Sequence, residues 1–173
     1  LGSAASLTLL DVSGAGLERC DHVWRLAGLR DLSLAGNALG PALAPRRALE
    51  GLRALRSLDL SANGLAVLPP SLAALEALES LDVSGNALAA LRLVDLACLP
   101  RLRRAAFADN RLSLLEAADH GVRELDLAGN ALATLAGLAG SAELASLDAS
   151  RNALAAPPER LLALCPKLKA ARL

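Results

Sequence analysis

Aliphatic residues recur along this chain in blocks of about eleven positions, with the first, fourth, sixth and eleventh apolar and the positions between them polar or small. The blocks read LTLLDVSGAGL from Leu7, LRDLSLAGNAL from Leu29, LRSLDLSANGL from Leu55 and LESLDVSGNAL from Leu78. They continue as LRRAAFADNRL from Leu102, VRELDLAGNAL from Val122, LASLDASRNAL from Leu144 and a truncated LKAARL from Leu168. Alternation within each block predicts a short strand with one buried face, so that sets such as Leu55, Leu58, Leu60 and Leu65 point inward. The more variable stretches between blocks must return the chain to the start of the next strand. Neither strand nor return can bury its apolar side alone, so the units must stack.

Block starts are separated by 22, 26, 23, 24, 20, 22 and 24 residues, which is seven repeats and part of an eighth. Six asparagines, Asn37, Asn63, Asn86, Asn110, Asn130 and Asn152, hold one frame near the block ends, and Ala15 stands in their place in the first. A short amide leaving a strand at a tight bend can satisfy backbone groups that would otherwise be buried without partners, so these six predict a structural asparagine ladder. The LxxLxLxxNxL frame resembles the leucine-rich-repeat family. That resemblance implies an α/β horseshoe, a solenoid with a concave parallel sheet and convex returns of 3-10 turns or short helices. The unbroken repeat predicts a single domain over residues 1–173, and the unfinished LKAARL end suggests a fragment of a longer chain.

The returns are less uniform than the strands. AVLPPSLAALEAL predicts a bend at Pro69 and Pro70 followed by a short helical stretch. ALRLVDLACLP and APPERLLALCP predict fuller helical turns stopped by Pro100 and Pro166. GPALAPRRALEG, in the longest interval, should bulge, whereas EAADHG, in the shortest, leaves little room for a helix. Trp24 is expected to cover the first end of the core. In the fifth repeat Ala105 and Phe107 replace two leucine-like residues, a small and a large side chain that together conserve volume.

Composition narrows the chemistry. The chain has 173 residues, 54% of them hydrophobic but only 1% aromatic, so Leu and Ala fill the core. Basic and acidic residues number 18 each, a balance that argues against direct nucleic-acid binding by this segment. No apolar run is long enough for a membrane span. Cys20, Cys98 and Cys165 lie in three different returns and are expected to be buried reduced thiols, and no N-x-[ST] acceptor occurs; both readings favour the cytosol, with the nucleus as the alternative compartment. His22 and His120 fall about four repeats apart and cannot share a site. No phosphate-binding loop, metal-ligand spacing or nucleophile arrangement emerges, so neither an enzyme, a cofactor nor a metal site is expected.

What remains is a surface. The third strand positions give one concave row, Leu9, Asp31, Ser57, Ser80, Arg104, Glu124 and Ser146, and the fifth positions give another, Asp11, Ser33, Asp59, Asp82, Ala106, Asp126 and Asp148. Second positions supply an opposing row, Arg30, Arg56, Glu79, Arg103, Arg123 and Lys169, at the strand-start edge. The sharper reading is a protein-binding face in which Asp31, Asp59, Asp82, Glu124, Asp126 and Asp148 meet a basic partner while Arg103 and Arg104 fix register. The plainer reading is a solvated face whose charges neutralise one another. The words NALGPALAP, AAFADN and CPKLK, with SLTLLDVSGAGL, resemble the repeat region of the leucine-rich repeat-containing protein 47 family. That resemblance implies a further synthetase-like domain and an RNA- or translation-linked role carried outside this segment. The expectation is therefore a monomeric cytosolic protein-interaction module. The alternatives are the repeat part of a translation-associated protein and a structural or engineered repeat with no ligand.

Overall fold

A computed structural model of the chain describes residues 6–43, 48–155 and 161–173. Each block forms one three-residue strand: β1 (Leu9–Asp11), β2 (Asp31–Ser33), β3 (Ser57–Asp59) and β4 (Ser80–Asp82). Two further strands, β5 (Ala90–Arg92) and β7 (Leu114–Glu116), arise in returns, on either side of β6 (Arg104–Ala106). Then follow β8 (Glu124–Asp126), β9 (Ser146–Asp148) and β10 (Ala170–Arg172). Eight strands form one parallel sheet in the order β1-β2-β3-β4-β6-β8-β9-β10. The fold is an α/β solenoid of the kind the leucine-rich frame implies.

Its core is a stack of leucines. In the third repeat Leu55, Leu58, Leu60 and Leu65 are all buried, and Leu72 and Leu75 close the layer from the return side. The same layer in the fifth repeat holds Ala105 and the fully buried Phe107, so the large ring fills the space that a smaller fourth-position side chain leaves. Trp24 sits half-buried against this core in a 3-10 turn, Val23–Arg25.

The asparagines stitch consecutive layers together. Asn86 Nδ2 donates to the carbonyls of Val83 at 2.8 Å in its own repeat and of Leu60 at 3.0 Å in the preceding one. Its Oδ1 accepts the backbone N–H groups of Asn63 at 3.0 Å and Leu65 at 2.9 Å. Asn37, Asn63, Asn110, Asn130 and Asn152 repeat the double donation, to Leu34 and Val12, Leu60 and Leu34, Phe107 and Val83, Leu127 and Phe107, and Ala149 and Leu127. These amides satisfy backbone groups that the tight bend removes from both the sheet and water.

The returns differ from expectation in three ways. ALRLVDLACLP begins with strand β5, and its helix α2 is one turn, Val94–Ala97, because Leu91 and Leu93 are buried while Ala90 and Arg92 are exposed, a period-two pattern. β5 pairs in parallel with β7, making a second two-stranded sheet at the back of repeats four and five. Cys98 is exposed, its thiol directed to the Val94 carbonyl at 3.5 Å, because the short helix α2 turns that position outward; Cys20 and Cys165 are buried. A 3-10 turn at Pro70–Ala74 follows the proline bend. Among the described residues, helix α1 runs over Gly40–Leu43 and α3 over Leu161–Leu164. The remainder of the expected bulge and of the last helical stretch, 44–47 and 156–160, lies outside the described residues.

The candidate concave interface

Strand pairing fixes which side chains share a row. Leu9, Asp31, Ser57, Ser80, Arg104, Glu124, Ser146 and Ala170 are register partners across the sheet. So are Asp11, Ser33, Asp59, Asp82, Ala106, Asp126, Asp148 and Arg172. Between the rows the middle residue of each strand from β2 to β9 in this sheet, such as Leu58 or Leu81, is buried in the core, so both rows project to the other face. At ~4.8 Å per strand, the eight-stranded face is about 34 Å long.

The fifth-position aspartates are anchored. Asp59 Oδ1 accepts the Ser61 N–H at 2.9 Å, Asp82 that of Ser84 at 2.8 Å, Asp126 that of Ala128 at 2.9 Å and Asp148 that of Ser150 at 3.0 Å. Each carboxylate therefore closes the bend after its strand with one oxygen. The bond restricts the side chain's direction; the second oxygen of Asp59 accepts the Ser33 hydroxyl at 3.5 Å, and that of Asp148 meets Arg172 at 3.7 Å. Asp11 makes the same bond to Ser13 N–H at 2.9 Å. The Ser150 hydroxyl above all, with burial opposing it and the Ser150 N–H, Arg172 and Arg151 adding to it, holds the Asp148 carboxyl below the usual carboxylate range.

Asp82, Arg104, Glu124, Asp126 and Asp148 line one shallow depression of about 330 Å³, together with Ser80 and Ser146. Asp31 and Asp59 belong to a second one of about 280 Å³ over the first three repeats, beside Asp11 and the exposed Leu9. Arg103 lies in neither. Its Nη1 donates to the carbonyls of Leu102 at 3.0 Å and Gly121 at 3.2 Å, closing the fifth return against its own strand start, so its guanidinium serves the fold; the cations on the concave rows are Arg104, and at the last strand Arg172, 3.7 Å from Asp148. On the strand-start edge Arg56 meets Glu79 at 3.5 Å, and Glu143 is shared by Arg123 at 3.9 Å and by Lys167.

At the other edge the residue before each asparagine takes a left-handed backbone. Glycine fills that position at Gly36, Gly85 and Gly129, but Ala62, Asp109 and Arg151 adopt it with φ of 51°, 52° and 57°. Asp109 and Arg151 bridge at 3.1 Å across Gly129, whose missing Cβ would lie 2.1 Å from the Asp109 carboxylate. This pair lies on the rim beside Asp126 and Asp148. His22 is exposed in the first return and His120 is buried in the fifth. Among the described residues, no three His, Cys, Asp or Glu side chains are placed to share a metal ion, and no helix is long and apolar enough to cross a membrane.

Residues 53–112 match the family model described as leucine rich repeat. Human Podocan-like protein 1 is 38% identical over 114 residues, which is 62% of this chain and 22% of that protein, so the chain spans about a fifth of its relative's length. Among solved structures, the TLR13–ssRNA13 complex superposes with a TM-score of 0.74 at 22% identity, covering 97% of this chain and 23% of that one. The Drosophila Toll–Spatzle complex does so with a TM-score of 0.71 at 20% identity, covering 98% and 27%. At these identities the structural likeness establishes the leucine-rich-repeat fold and nothing finer.

Proposed function

We propose that this chain is a protein-interaction module whose concave face receives a basic segment of its partner. Leucine-rich-repeat domains bind protein partners, and the Toll–Spatzle complex is one structural neighbour seen with such a partner. The observation that carries the finer reading is the row Asp59, Asp82, Asp126 and Asp148 on the concave face, each held by a backbone N–H two residues on. Ordered carboxylates lose little side-chain entropy on meeting lysine or arginine. Arg104 interrupts them with one opposite charge beside Glu124, which gives the partner a fixed register. Three free cysteines in separate returns support a reducing compartment, the cytosol or nucleus.

A pull-down from cytosolic lysate tests this, comparing the wild-type chain with Asp59→Lys, Asp82→Lys and Asp126→Lys combined and reading the eluates by mass spectrometry and RNA sequencing. The proposal expects a salt-sensitive protein partner that the triple variant loses. Retention of every partner would move the site to the convex side or the edges. The words NALGPALAP, AAFADN and CPKLK support kinship with the leucine-rich repeat-containing protein 47 family, on which reading RNA contact belongs to other sequence. RNA recovered by this chain regardless of the substitutions would sink the claim that the segment itself binds protein only.

A further inference from the structure

In six of the blocks the first residue donates its backbone N–H into the turn that precedes it. Leu29, Leu55, Leu78, Leu102, Leu144 and Leu168 give theirs to the carbonyls of Leu26, Leu52, Leu75, Leu99, Ser141 and Cys165, at 3.0, 3.0, 3.0, 3.1, 3.2 and 3.1 Å. Val122, in the repeat with the shortest return, does otherwise. Its N–H donates to Nδ1 of His120 at 3.2 Å, so a side chain closes a turn that backbone closes elsewhere.

That imidazole is held on both sides. Since Nδ1 accepts, the neutral ring carries its proton on Nε2 and donates to the Ser141 hydroxyl at 2.9 Å. Ser141 belongs to the next return, where its carbonyl accepts Leu144 N–H. His120, Ser141 and Val122 are 5%, 0% and 0% exposed, so water does not replace a lost partner. A protonated imidazole is a donor at both nitrogens, and no ring rotation restores an acceptor for Val122. Burial disfavours the charged ring, and Asp119, on the same loop, opposes that more weakly; the neighbouring Arg103 guanidinium is bound to the Gly121 carbonyl. Glu143, two residues beyond Ser141, is already engaged by Lys167, Arg123 and Arg103.

We propose that His120 is a proton-operated latch: acidification opens the return between β7 and β8 and frees β8, with Glu124 and Asp126, from its register in the concave sheet. Desolvation holds the imidazole below its usual value of 6.5. The folded state thus favours the neutral ring. The latch is fully closed above the ordinary histidine pKa and is lost as pH falls through the lower folded value. The device stands whether or not the concave face binds a basic partner.

The test is NMR of the wild-type chain between about pH 7.5 and about pH 5, following the His120 ring and the hydrogen-exchange protection factors of Val122 and β8. Protection at those amides should fall about tenfold per pH unit once the open form alone is protonated, while β3 stays unchanged. His22→Gln should respond like wild type. His120→Asn, which keeps a short-range acceptor but cannot titrate, should abolish the response. Constant protection of Val122 and β8 across the range in the wild type would overturn the proposal, and that measurement does not depend on how any variant folds. An undiminished response in His120→Asn would overturn it equally.

Discussion

Asn86 makes its hydrogen bonds to two repeats at once, which concentrates the consequence of losing it. Asn86→Ala leaves the N–H groups of Asn63 and Leu65 without their acceptor in a buried bend and the carbonyls of Leu60 and Val83 with one donor each, Asn63 and Asn110. The expected loss is about 2–4 kcal/mol in urea unfolding, with less at the half-buried Asn152. Asp148 is acid-sensitive in the same direction as His120, although its folded form favours the charged group and not the neutral one. Its carboxyl is held below the usual range, so its contribution is complete above the ordinary carboxylate value and disappears as pH falls through the folded one. Asp148→Asn keeps an acceptor for Ser150 N–H and should narrow the gap between thermal midpoints at about pH 7 and about pH 3. Among the thiols, burial and Asp21 push Cys20 up to about 12, and burial raises Cys165, whereas Cys98 is exposed. A thiol-reagent titration of the native chain should find one fast cysteine, and three after denaturation.

At the scale of the element, the fifth repeat shows how a layer can depart from the pattern and still pack. Phe107 is fully buried over Ala105, which is 3% exposed. Phe107→Leu alone underfills the layer, at about 1–3 kcal/mol, and Ala105→Leu alone overfills it by a similar cost. The double variant restores the usual pair and should be more stable than the sum of the single effects, as a double-mutant cycle in denaturant would read. The second sheet has its own requirement. A Cβ on Gly137 would lie 2.3 Å from the Leu115 carbonyl, so Gly137→Ala should loosen β7 selectively, visible as faster exchange at its amides than in β3. This sheet was not foreseen from the chain. ALRL and LSLLE are too short to separate a strand from a helical turn by periodicity, and only the neighbouring return decides between them. The same shortness turned Cys98 outward, where a longer helix would have carried it to the core.

For the whole molecule, the solenoid was legible because one frame recurs, and a recurrent frame determines which side chains align as soon as the strands pair in parallel. Asp59 beside Asp82, and Arg104 beside Glu124, follow from that alone. Three features that matter for the groove were not legible, since each needs the bend in three dimensions. They are the aspartate oxygens fixed by the N–H two residues on, the withdrawal of Arg103 to the Gly121 carbonyl, and the replacement of a backbone turn by His120. The account's central claim is that the charge of the anchored concave aspartates recognises the partner. Its most direct test is the affinity of a captured partner for Asp59→Asn, Asp82→Asn and Asp126→Asn combined, which keeps the anchoring acceptors and removes only charge. The control is a set of equal charge change on the returns, Glu18→Gln, Glu50→Gln and Glu76→Gln, all at exposed positions. The account predicts at least about tenfold weaker binding for the concave set at low salt, shrinking as salt rises, with the return set near wild type. Equal losses in both sets, or none in the concave set, would contradict it.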